Sequence, residues 1–318
     1  MPGISFVIVN YYTSNLVKKL ISSINNVDEG SNVEIIVIDN TTNEKAKFKS
    51  RIDNVRIHHT NNNLGFGCAC NIGAKLASKE NLVFINPDSL LFQNDSIKLL
   101  NKSFCELPGN TIFTGRILDR NQQPVCNTFR FSNFINIYFH NSVDRVFGNS
   151  IPLLSNKVEV YLKDRSYEVD WVSGAFLCIK KKFFFELGGF DENIFMYEED
   201  ADLCYRAKKS NGKVLFIPGL YIIHYGGEAS KNNNELLTFI GLKSTLYFYR
   251  KRNNGLKAIL LEHLISLTWS LIYYLHILLS PVFPSLTLKR KKFWKTLGKV
   301  ASKNKKVPQQ DLITYLEQ

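Results

Sequence analysis

Three short apolar runs stand out near the start of the chain, and each ends in a polar side chain. Residues 4–10, 33–40 and 81–88 are rich in β-branched residues and finish in Asn or Asp. Continuous apolar runs of this length are typical of strands that are buried on both faces of a parallel sheet. Helical patterns at 14–24 and 67–78 lie between them, so the chain is predicted to begin with right-handed βαβ units.

Polar residues mark the ends of these runs, and they are Asn10, Asp39, Asn86 and Asp88. In a parallel α/β sheet, ligands bind in the crevice at the carboxyl ends of the strands. Because the four residues come from three equivalent strand ends, we expect their side chains to converge on one crevice.

The pattern continues less evenly further along the chain. Residues 120–168 are irregular and rich in Asn, Phe and Tyr, which is typical of an inserted segment. Residues 169–180 and 213–219 again have strand character, and a helix is predicted from 235 to about 250. The order of these elements predicts one α/β domain over residues 1–250, with a Rossmann-like, mostly parallel central sheet flanked by helices.

Residues 251–318 have a different pattern, and we expect a C-terminal helical extension that associates with a membrane. Residues 264–288 contain no Asp, Glu, Lys or Arg, whereas residues 289–306 carry nine Lys or Arg and no acid. A helix lying in the interface of an anionic membrane surface, followed by a basic anchor, fits this pattern best. The alternatives are a helix inserted across the bilayer and a soluble helix that covers the main domain.

Composition narrows the class of protein. The net charge of +12 comes mostly from the basic block, and no nucleic-acid-binding motif accompanies it, so we expect no nucleic acid partner. The six cysteines form no CxxC pair, which favours buried thiols in a reducing compartment. The first residues lack the features of a signal peptide. The expected location is cytoplasmic, peripheral at the cytoplasmic face of the inner or plasma membrane.

Two features are compatible with a nucleotide site. Asp39 could accept a hydrogen bond from a base or from a ribose hydroxyl, although a turn-forming role beside Asn40 is the alternative. Residues 61–73 are rich in Gly and Asn and open a helix. Gly65 and Gly67 would let the backbone approach an anionic ligand at the helix N-terminus.

Asp88 and His224 are candidate metal ligands. Asp88 follows an apolar run and could bind Mg²⁺ or Mn²⁺ that also holds a diphosphate. Its alternative role is an N-cap or turn residue after Pro87. His224 ends a predicted strand before a Gly pair, where a ligand role competes with that of a hydrogen-bonded core histidine.

Four carboxylates crowd residues 198–202. Asp202 lies four residues before Arg206, so a helical ion pair is its expected role. Glu199 and Asp200 occupy the predicted first turn of a helix, where acids are common because the helix dipole stabilises them. The spacing alone therefore leaves open whether either of these two acids takes part in chemistry.

Seven motifs of the chain resemble those of the family 2 glycosyltransferases, which have the GT-A fold. In chain order they are SFVIVNYY, VIDNTT, NLGFGCACNIG, INPDS, DWVSGAFLCIKKKFFFELGGFDENIFMYEEDADLCYR, GKVLFIPG and IIHYGG. The resemblance covers about residues 1–250, and the block at 169–206 is its most specific part. Within the family, this block looks most like the rhamnosyltransferases of bacterial polysaccharide assembly.

The resemblance implies a nucleoside-diphosphate sugar donor and a divalent cation, Mg²⁺ or Mn²⁺. Asn86 replaces the first acid of the family's metal motif and lowers the charge of the site. The implied metal ligands are Asp88 and His224, and Trp171 and Gly174 match positions that face the donor sugar and the acceptor. The implied nucleotide-sugar-binding residues are Asn10, Tyr11, Asp39, Asn63, Gly65, Asn71, Asn86 and Asp88.

The resemblance also implies an inverting mechanism, with Asp200 as the catalytic base and Glu199 positioning the acceptor or serving as the alternative base. The expected donor is dTDP-L-rhamnose, with UDP-galactofuranose or a UDP-hexose as alternatives. The expected acceptor is a lipid-linked oligosaccharide or a growing surface polysaccharide such as O-antigen. A non-catalytic nucleotide-sugar-binding protein is the competing hypothesis.

Overall fold

The computed structural model describes residues 3–27, 32–147, 156–226, 234–253 and 255–279. The strands are β1 (Ile4–Asn10), β2 (Val33–Asp39), β3 (Val55–His59), β4 (Asn81–Ile85), β5 (Ser89–Leu90), β6 (Thr111–Leu118), β7 (Pro124–Val125), β8 (Thr128–Phe129), β9 (Tyr167–Glu168), β10 (Trp171–Val172), β11 (Phe176–Lys180) and β12 (Lys213–His224). The helices are α1 (Ser14–Asn26), α2 (Phe66–Leu76), α3 (Ser96–Glu106), α4 (Phe134–Phe147), α5 (Lys181–Glu186), α6 (Glu199–Lys209), α7 (Asn234–Arg252) and α8 (Gly255–Leu279).

The main sheet runs in the order β3-β2-β1-β4-β11-β6-β12-β5. Along this path, four of the seven neighbouring pairs are parallel, because β11 and β5 run against their neighbours. The two-residue strands β7 and β9 add to the sheet antiparallel to β6 and β12. The prediction of a mostly parallel central sheet flanked by helices is therefore confirmed. The antiparallel β11 lies in the middle of the sheet, where the sequence pattern gave no sign of its direction.

Both faces of the sheet are covered, as the continuous apolar runs predict. Along β1, Ile4, Phe6 and Ile8 pack with α1 and α3 on one face, while Val7 and Val9 pack with α2, α5 and α6 on the other. This alternation follows the two-residue period of a strand. A strand with both faces buried needs apolar residues at every position, which explains the absence of a polar–apolar alternation.

Two predicted strands differ from the structure in their bounds. The run at 81–88 is a strand only as far as Ile85, since residues 86–89 form a turn in which the Ser89 N–H donates to the Asn86 carbonyl at 3.1 Å. The strand predicted over 169–180 is two strands, β10 and β11, separated at residues 173–175. Both departures from regular structure lie at the crevice.

Buried thiols account for half of the cysteines. Cys70, Cys178 and Cys204 are fully buried, and burial raises the pKa of each thiol above its ordinary value. None of the six cysteines forms a disulfide, and all lie in the described part of the chain. The prediction of buried thiols therefore holds for these three residues.

The described residues divide into two compact units. One takes in the described residues of Met1–Phe131 and Lys157–Lys231, and the other those of Ser132–Asn156 and Asn232–Gln318. The predicted boundary at residue 250 thus falls inside α7, and helix α4 of the predicted insertion groups with the C-terminal helices rather than with the sheet. The pattern along the chain did not show that α4 packs with α7 and α8, which lie about 100 residues further along the sequence.

The second unit has a core of its own, built where α4, α7 and α8 pack together. The buried side chains are Ile137 from α4, Leu242, Leu246 and Tyr249 from α7, and Ala258, Leu261, Ile265 and Trp269 from α8. Two polar contacts cross this core. The Tyr138 hydroxyl lies 2.9 Å from the Thr268 hydroxyl, and Arg250 binds both carboxylate oxygens of Glu262.

Helix α8 holds the apolar part of the predicted extension. Among the described residues it is the one helix that is long and apolar enough to cross a membrane, over Gly255–Ile272 with mean hydropathy 1.3. Length and composition are weak evidence, because core helices of soluble proteins pass the same test. Residues 280–288 of the predicted segment and the basic block at 289–306 lie outside the described residues.

The predicted ion pair between Asp202 and Arg206 is confirmed on α6. The Arg206 Nε donates to Asp202 Oδ2 at 2.7 Å, and the Asp202 side chain is fully buried. Arg206 also donates from Nη1 to the Leu187 carbonyl. The pair therefore fastens α6 to the end of α5.

Asp202→Ala should lower the free energy of unfolding by about 2–3 kcal/mol, because it leaves a largely buried guanidinium without its carboxylate. Urea unfolding followed by circular dichroism measures the change. The matched control is Glu106→Ala, which removes an exposed i,i+4 pair with Lys102 at 3.9 Å and should cost no more than about 0.5 kcal/mol. Equal losses for the two variants would contradict a structural role for the buried pair.

Candidate functional site

A row of polar side chains crosses the carboxyl ends of three adjacent strands. Asn10, Asp39 and His59 are the last residues of β1, β2 and β3, and the sheet aligns them as neighbours. Asn10 Nδ2 donates to Asp39 Oδ1 at 2.8 Å, and His59 Nδ1 lies 3.1 Å from Asp39 Oδ2. The predicted convergence of Asn10 and Asp39 is therefore present, with His59 added to it.

Asp39 is the centre of this row, and its carboxylate is fully buried. Beyond Asn10 and His59, it accepts from the Thr41 N–H at 3.1 Å and from the Phe48 N–H at 2.7 Å. Burial acts to raise its pKa, but the hydrogen bonds outweigh burial and leave the pKa below its ordinary value. Asp39 is thus an ionised acceptor whose two oxygens each have two partners within the protein.

The loop after β1 carries two exposed tyrosines. Tyr11, which was predicted to line a base, is 39% exposed and meets Tyr12 edge-on, with 4.8 Å between ring centroids. Tyr12 has a left-handed backbone at φ 55°, and its hydroxyl lies 2.9 Å from that of Thr42. Tyr11 is therefore partly exposed just after the carboxyl end of β1.

Gly65 is required by packing against another loop. Its φ is +82°, and a Cβ there would lie 2.2 Å from the Phe195 carbonyl oxygen. The same carbonyl accepts from the Phe66 N–H at 3.0 Å. Asn63 Oδ1 accepts from the Gly65 N–H at 3.1 Å, so the predicted Asn63 and Gly65 fix the loop that opens α2.

Asn71 faces the interior of the protein. Its amide exchanges two hydrogen bonds with the Phe190 backbone, at 2.9 Å and 2.8 Å, and it donates to Glu192 Oε1 at 3.1 Å. Asn71 is 5% exposed. Its side chain therefore ties α2 to the loop after α5, and the nucleotide contact expected of it stays a prediction.

Asn86, Asp88 and His224 come together where β5 pairs with the end of β12. The His224 Nε2 lies 3.0 Å from Asp88 Oδ1 and 3.4 Å from Asn86 Nδ2. The Asp88 carbonyl also accepts from the Tyr225 N–H at 2.9 Å, and Asp88 is 6% exposed. In the described part of the chain, no group of three or more His, Cys, Asp or Glu side chains could hold a metal ion.

The two acids that begin α6 have different surroundings. Asp200 is partly exposed and accepts from the Gly174 N–H and the Ala201 N–H, each at 2.8 Å. Burial raises the pKa of Asp200, and the backbone donors, with Gly174 foremost, oppose that rise. The result is a carboxylate that is more basic than an ordinary Asp and is held in a fixed orientation.

Glu199 points toward α2 and is 5% exposed. Its Cβ lies close to the Cβ that Gly67 would carry, at 3.6 Å, and its Oε2 is buried with no hydrogen-bond partner. Burial first, and then the charges of Asp200 and Glu198, raise the pKa of Glu199 well above its ordinary value. We therefore expect Glu199 to stay protonated where Asp200 is ionised.

The residues between β10 and β11 connect the two halves of the site. Gly174 donates to Asp200, and the next residue, Ala175, accepts from the Asn86 N–H at 3.1 Å. Trp171 stands beside this turn, stacked on Phe129 with 4.2 Å between ring centroids. The turn therefore places the acid of α6 and the cluster at Asn86 in one crevice, with an aromatic wall nearby.

The backbone is strained in the two residues directly before α6. Tyr197 and Glu198 both adopt φ 68°, although consecutive left-handed residues other than glycine are costly. Such strain is typical of functional sites. No pattern in the sequence predicts this conformation, or the presence of His59 and the Phe195 carbonyl in the site.

Solved structures share this fold. A crystal structure of GalNAc-T7 with UDP, GalNAc and Mn²⁺ aligns with a TM-score of 0.52 and 18% identity over 79% of this chain and half of its own. The mannosyltransferase PcManGT from Pyrobaculum calidifontis, in complex with GDP-Man and Mn²⁺, aligns with a TM-score of 0.50 and 12% identity, over 94% of this chain and 85% of its own. The fold is therefore the GT-A glycosyltransferase fold that was predicted.

Sequence comparison points to a family. Residues 5–152 match the model of glycosyl transferase family 2. Rhamnosyltransferase WbbL of Escherichia coli K12 is 26% identical over 257 residues, covering 77% of this chain and 92% of WbbL. The N-acetylglucosaminyl-diphospho-decaprenol L-rhamnosyltransferase of Mycobacterium tuberculosis H37Rv is 32% identical over 87 residues, 27% of this chain and 28% of that protein. Residues 5–152 are therefore similar to family 2 glycosyltransferases, and the relatives support a likeness to the rhamnosyltransferase branch.

Glu199→Gln should make the stability of the protein less sensitive to pH. An unfolded Glu ionises near pH 4.5, whereas the folded protein holds the proton to higher pH, so the wild type loses stability as pH rises above that value. The variant cannot ionise at this position and lacks this loss. The free energy of unfolding of the variant minus that of the wild type should therefore be larger at pH 8 than at pH 5. Urea titrations at the two pH values measure it.

The exposed Glu80 provides the control for this prediction, since Glu80→Gln should leave the pH dependence of the wild type unchanged. A Glu199→Gln variant whose advantage does not grow between pH 5 and pH 8 would contradict a protonated Glu199.

Proposed function

We propose that this protein is an inverting glycosyltransferase that moves L-rhamnose from dTDP-rhamnose to a hydroxyl group of a lipid-linked oligosaccharide or growing surface polysaccharide. One observation carries the proposal. The Gly174 N–H donates to Asp200, and the carbonyl of Ala175, the residue after Gly174, accepts from the N–H of Asn86. A base and a diphosphate-binding cluster on opposite sides of one turn suit a single displacement at an anomeric carbon.

Asp200 suits the role of general base for three reasons. It is partly exposed, so an acceptor hydroxyl can reach it. Its pKa is raised, which brings its basicity closer to working pH. Its two backbone donors fix its orientation without taking up every lone pair. Glu199 is the weaker candidate, because it is buried against α2 and its raised pKa favours the protonated form.

Asp88 and His224 fit a divalent cation of the Mg²⁺ or Mn²⁺ class. Their ligand atoms converge within 3.0 Å, and such cations need few protein ligands when diphosphate oxygens and water complete the shell. A cation held by these residues would supply positive charge against the leaving diphosphate. The Asn86 amide adds a polar contact without adding charge.

The names of the relatives support the choice of sugar and acceptor. WbbL is a rhamnosyltransferase, and the mycobacterial relative is named for rhamnose and a diphospho-decaprenol lipid. The low-salt glycan biosynthesis hexosyltransferase Agl10 of Haloferax volcanii, 26% identical over 66% of this chain and 63% of its own, keeps another hexose donor open. A UDP-hexose or UDP-galactofuranose donor is therefore the second candidate.

Asp200→Asn should lower the rate of transfer by about 100-fold or more, because a general base contributes 10²–10⁴-fold. Binding of dTDP should stay within a few-fold of the wild type. The measurement is product formation from dTDP-rhamnose, UDP-galactose and UDP-galactofuranose, with dTDP binding by calorimetry.

The control for this experiment is Asp53→Asn, an exposed acid in a loop, which should retain full activity. Transfer by the Asp200→Asn variant at the wild-type rate would overturn the base assignment. If the wild type transferred sugar from a UDP sugar and not from dTDP-rhamnose, the proposed donor would be wrong.

We propose that the protein associates with a membrane surface, and one face of α8 supports this proposal. Opposite its buried face, Leu260, Leu267, Leu271 and Leu278 are between 54% and 73% exposed. Their spacing puts them on a single side of the helix. Exposed apolar surfaces of this extent mark binding sites in soluble proteins, and the basic sequence at 289–306 suits an anionic lipid surface.

Replacing Leu267 and Leu271 together by Glu should weaken sedimentation with vesicles containing phosphatidylglycerol by about tenfold or more, because it places two charges on the lipid-facing side. Ile52→Glu, at a side chain 45% exposed in the first unit, is the control and should sediment like the wild type. Unchanged sedimentation of the double variant would contradict this membrane-facing surface.

A further inference from the structure

His59 lies at the outer end of the polar row and has no assigned role. Its side chain is 35% exposed, whereas Asp39 beside it is fully buried. The strand alternates at this point, since the preceding His58 is more exposed and points to the other side of the sheet. Of the three residues in the row, His59 is therefore the one whose side chain reaches solvent.

The contacts of Asp39 leave no room for a ligand. Its four partners occupy both oxygens, and a nucleotide could replace one of them only by breaking a hydrogen bond in the interior. Losing a buried partner costs more than a new hydrogen bond returns. A ligand would therefore be contacted by a more exposed neighbour of Asp39, and not by the carboxylate itself.

The same contacts fix the tautomer of His59. An ionised carboxylate only accepts hydrogen bonds, so the ring nitrogen that faces Asp39, Nδ1, carries a proton. In the neutral ring, Nε2 is then left as an acceptor. The acceptor lies at the carboxyl end of β3, directly before the loop that leads to Asn63 and Gly65.

We propose that His59, positioned by Asp39, is the residue that reads the base of the nucleotide, with Nε2 accepting from the N3–H of thymine or uracil. This inference rests on the proposed function and assigns the specificity of its nucleotide site. Cytosine presents an unprotonated N3 at the same edge and would face Nε2 with a second acceptor. The site therefore selects dTDP and UDP over CDP.

The test compares binding of dTDP, UDP and CDP to the wild type and to His59→Phe by calorimetry. The wild type should bind dTDP and UDP at least tenfold more tightly than CDP. The variant should lose about tenfold in affinity for dTDP and UDP, the effect of one buried hydrogen bond, while its affinity for CDP stays the same. The variant should therefore bind all three nucleotides with similar affinity, while its affinity for CDP equals that of the wild type.

Two further variants separate recognition from folding. His59→Gln retains an amide donor for Asp39 and an oxygen acceptor for the base, and should keep part of the preference even if His59→Phe unfolds. His58→Phe, on the same strand, should behave as the wild type. The thermal unfolding midpoint of each variant shows whether it is folded.

Several outcomes would overturn the proposal. They are an unchanged preference in the folded His59→Phe variant, an equal loss for all three nucleotides, and a wild type that does not discriminate against CDP. A wild type that binds none of the nucleotides would instead refute the nucleotide-sugar donor, and the base-reading role with it. Normal dTDP-rhamnose turnover by a His59→Phe variant with unchanged KM would refute only the role of His59.

Discussion

The hydrogen bond from the Gly174 N–H to the Asp200 carboxylate is the contact on which the geometry of the site depends. It forms in the turn between β10, which pairs with β8 in a separate two-stranded sheet, and β11 of the main sheet. Burial alone would favour a protonated Asp200, and the backbone donor keeps an ionised form accessible. Since Ala175 also bonds to Asn86, a shift of this turn would move both halves of the crevice together.

Backbone strain next to Asp200 is offset by packing elsewhere. Each left-handed residue at Tyr197 and Glu198 costs about 1–2 kcal/mol. The conformation is held from outside, because the Phe195 carbonyl binds the Phe66 N–H and the nearby Gly65 has no side chain to push it away. The loop that opens α2 and the loop that leads into α6 therefore stabilise each other, and neither conformation is set by its own sequence.

Local patterns predicted much of the fold and only part of the site. The ends of β1 and β2, and the pair of Asp202 with Arg206, follow from periodicity and from four-residue spacing. The partners of Asn71 lie 119 residues away at Phe190, and no spacing rule connects them. Asp39 showed the limit most clearly, since its position at a strand end was predictable but its complete burial depends on Phe48 and His59, which other segments supply.

The row of Asn10, Asp39 and His59 depends on the register between neighbouring strands. Side chains of a strand alternate between the two faces, so sliding β3 by one residue against β2 would present His58 in place of His59 and separate the carboxylate from its imidazole. The nucleotide preference proposed for His59 would therefore depend on the register of a parallel sheet. Insertions or deletions in the loop before β3 would alter it without changing any residue of the row.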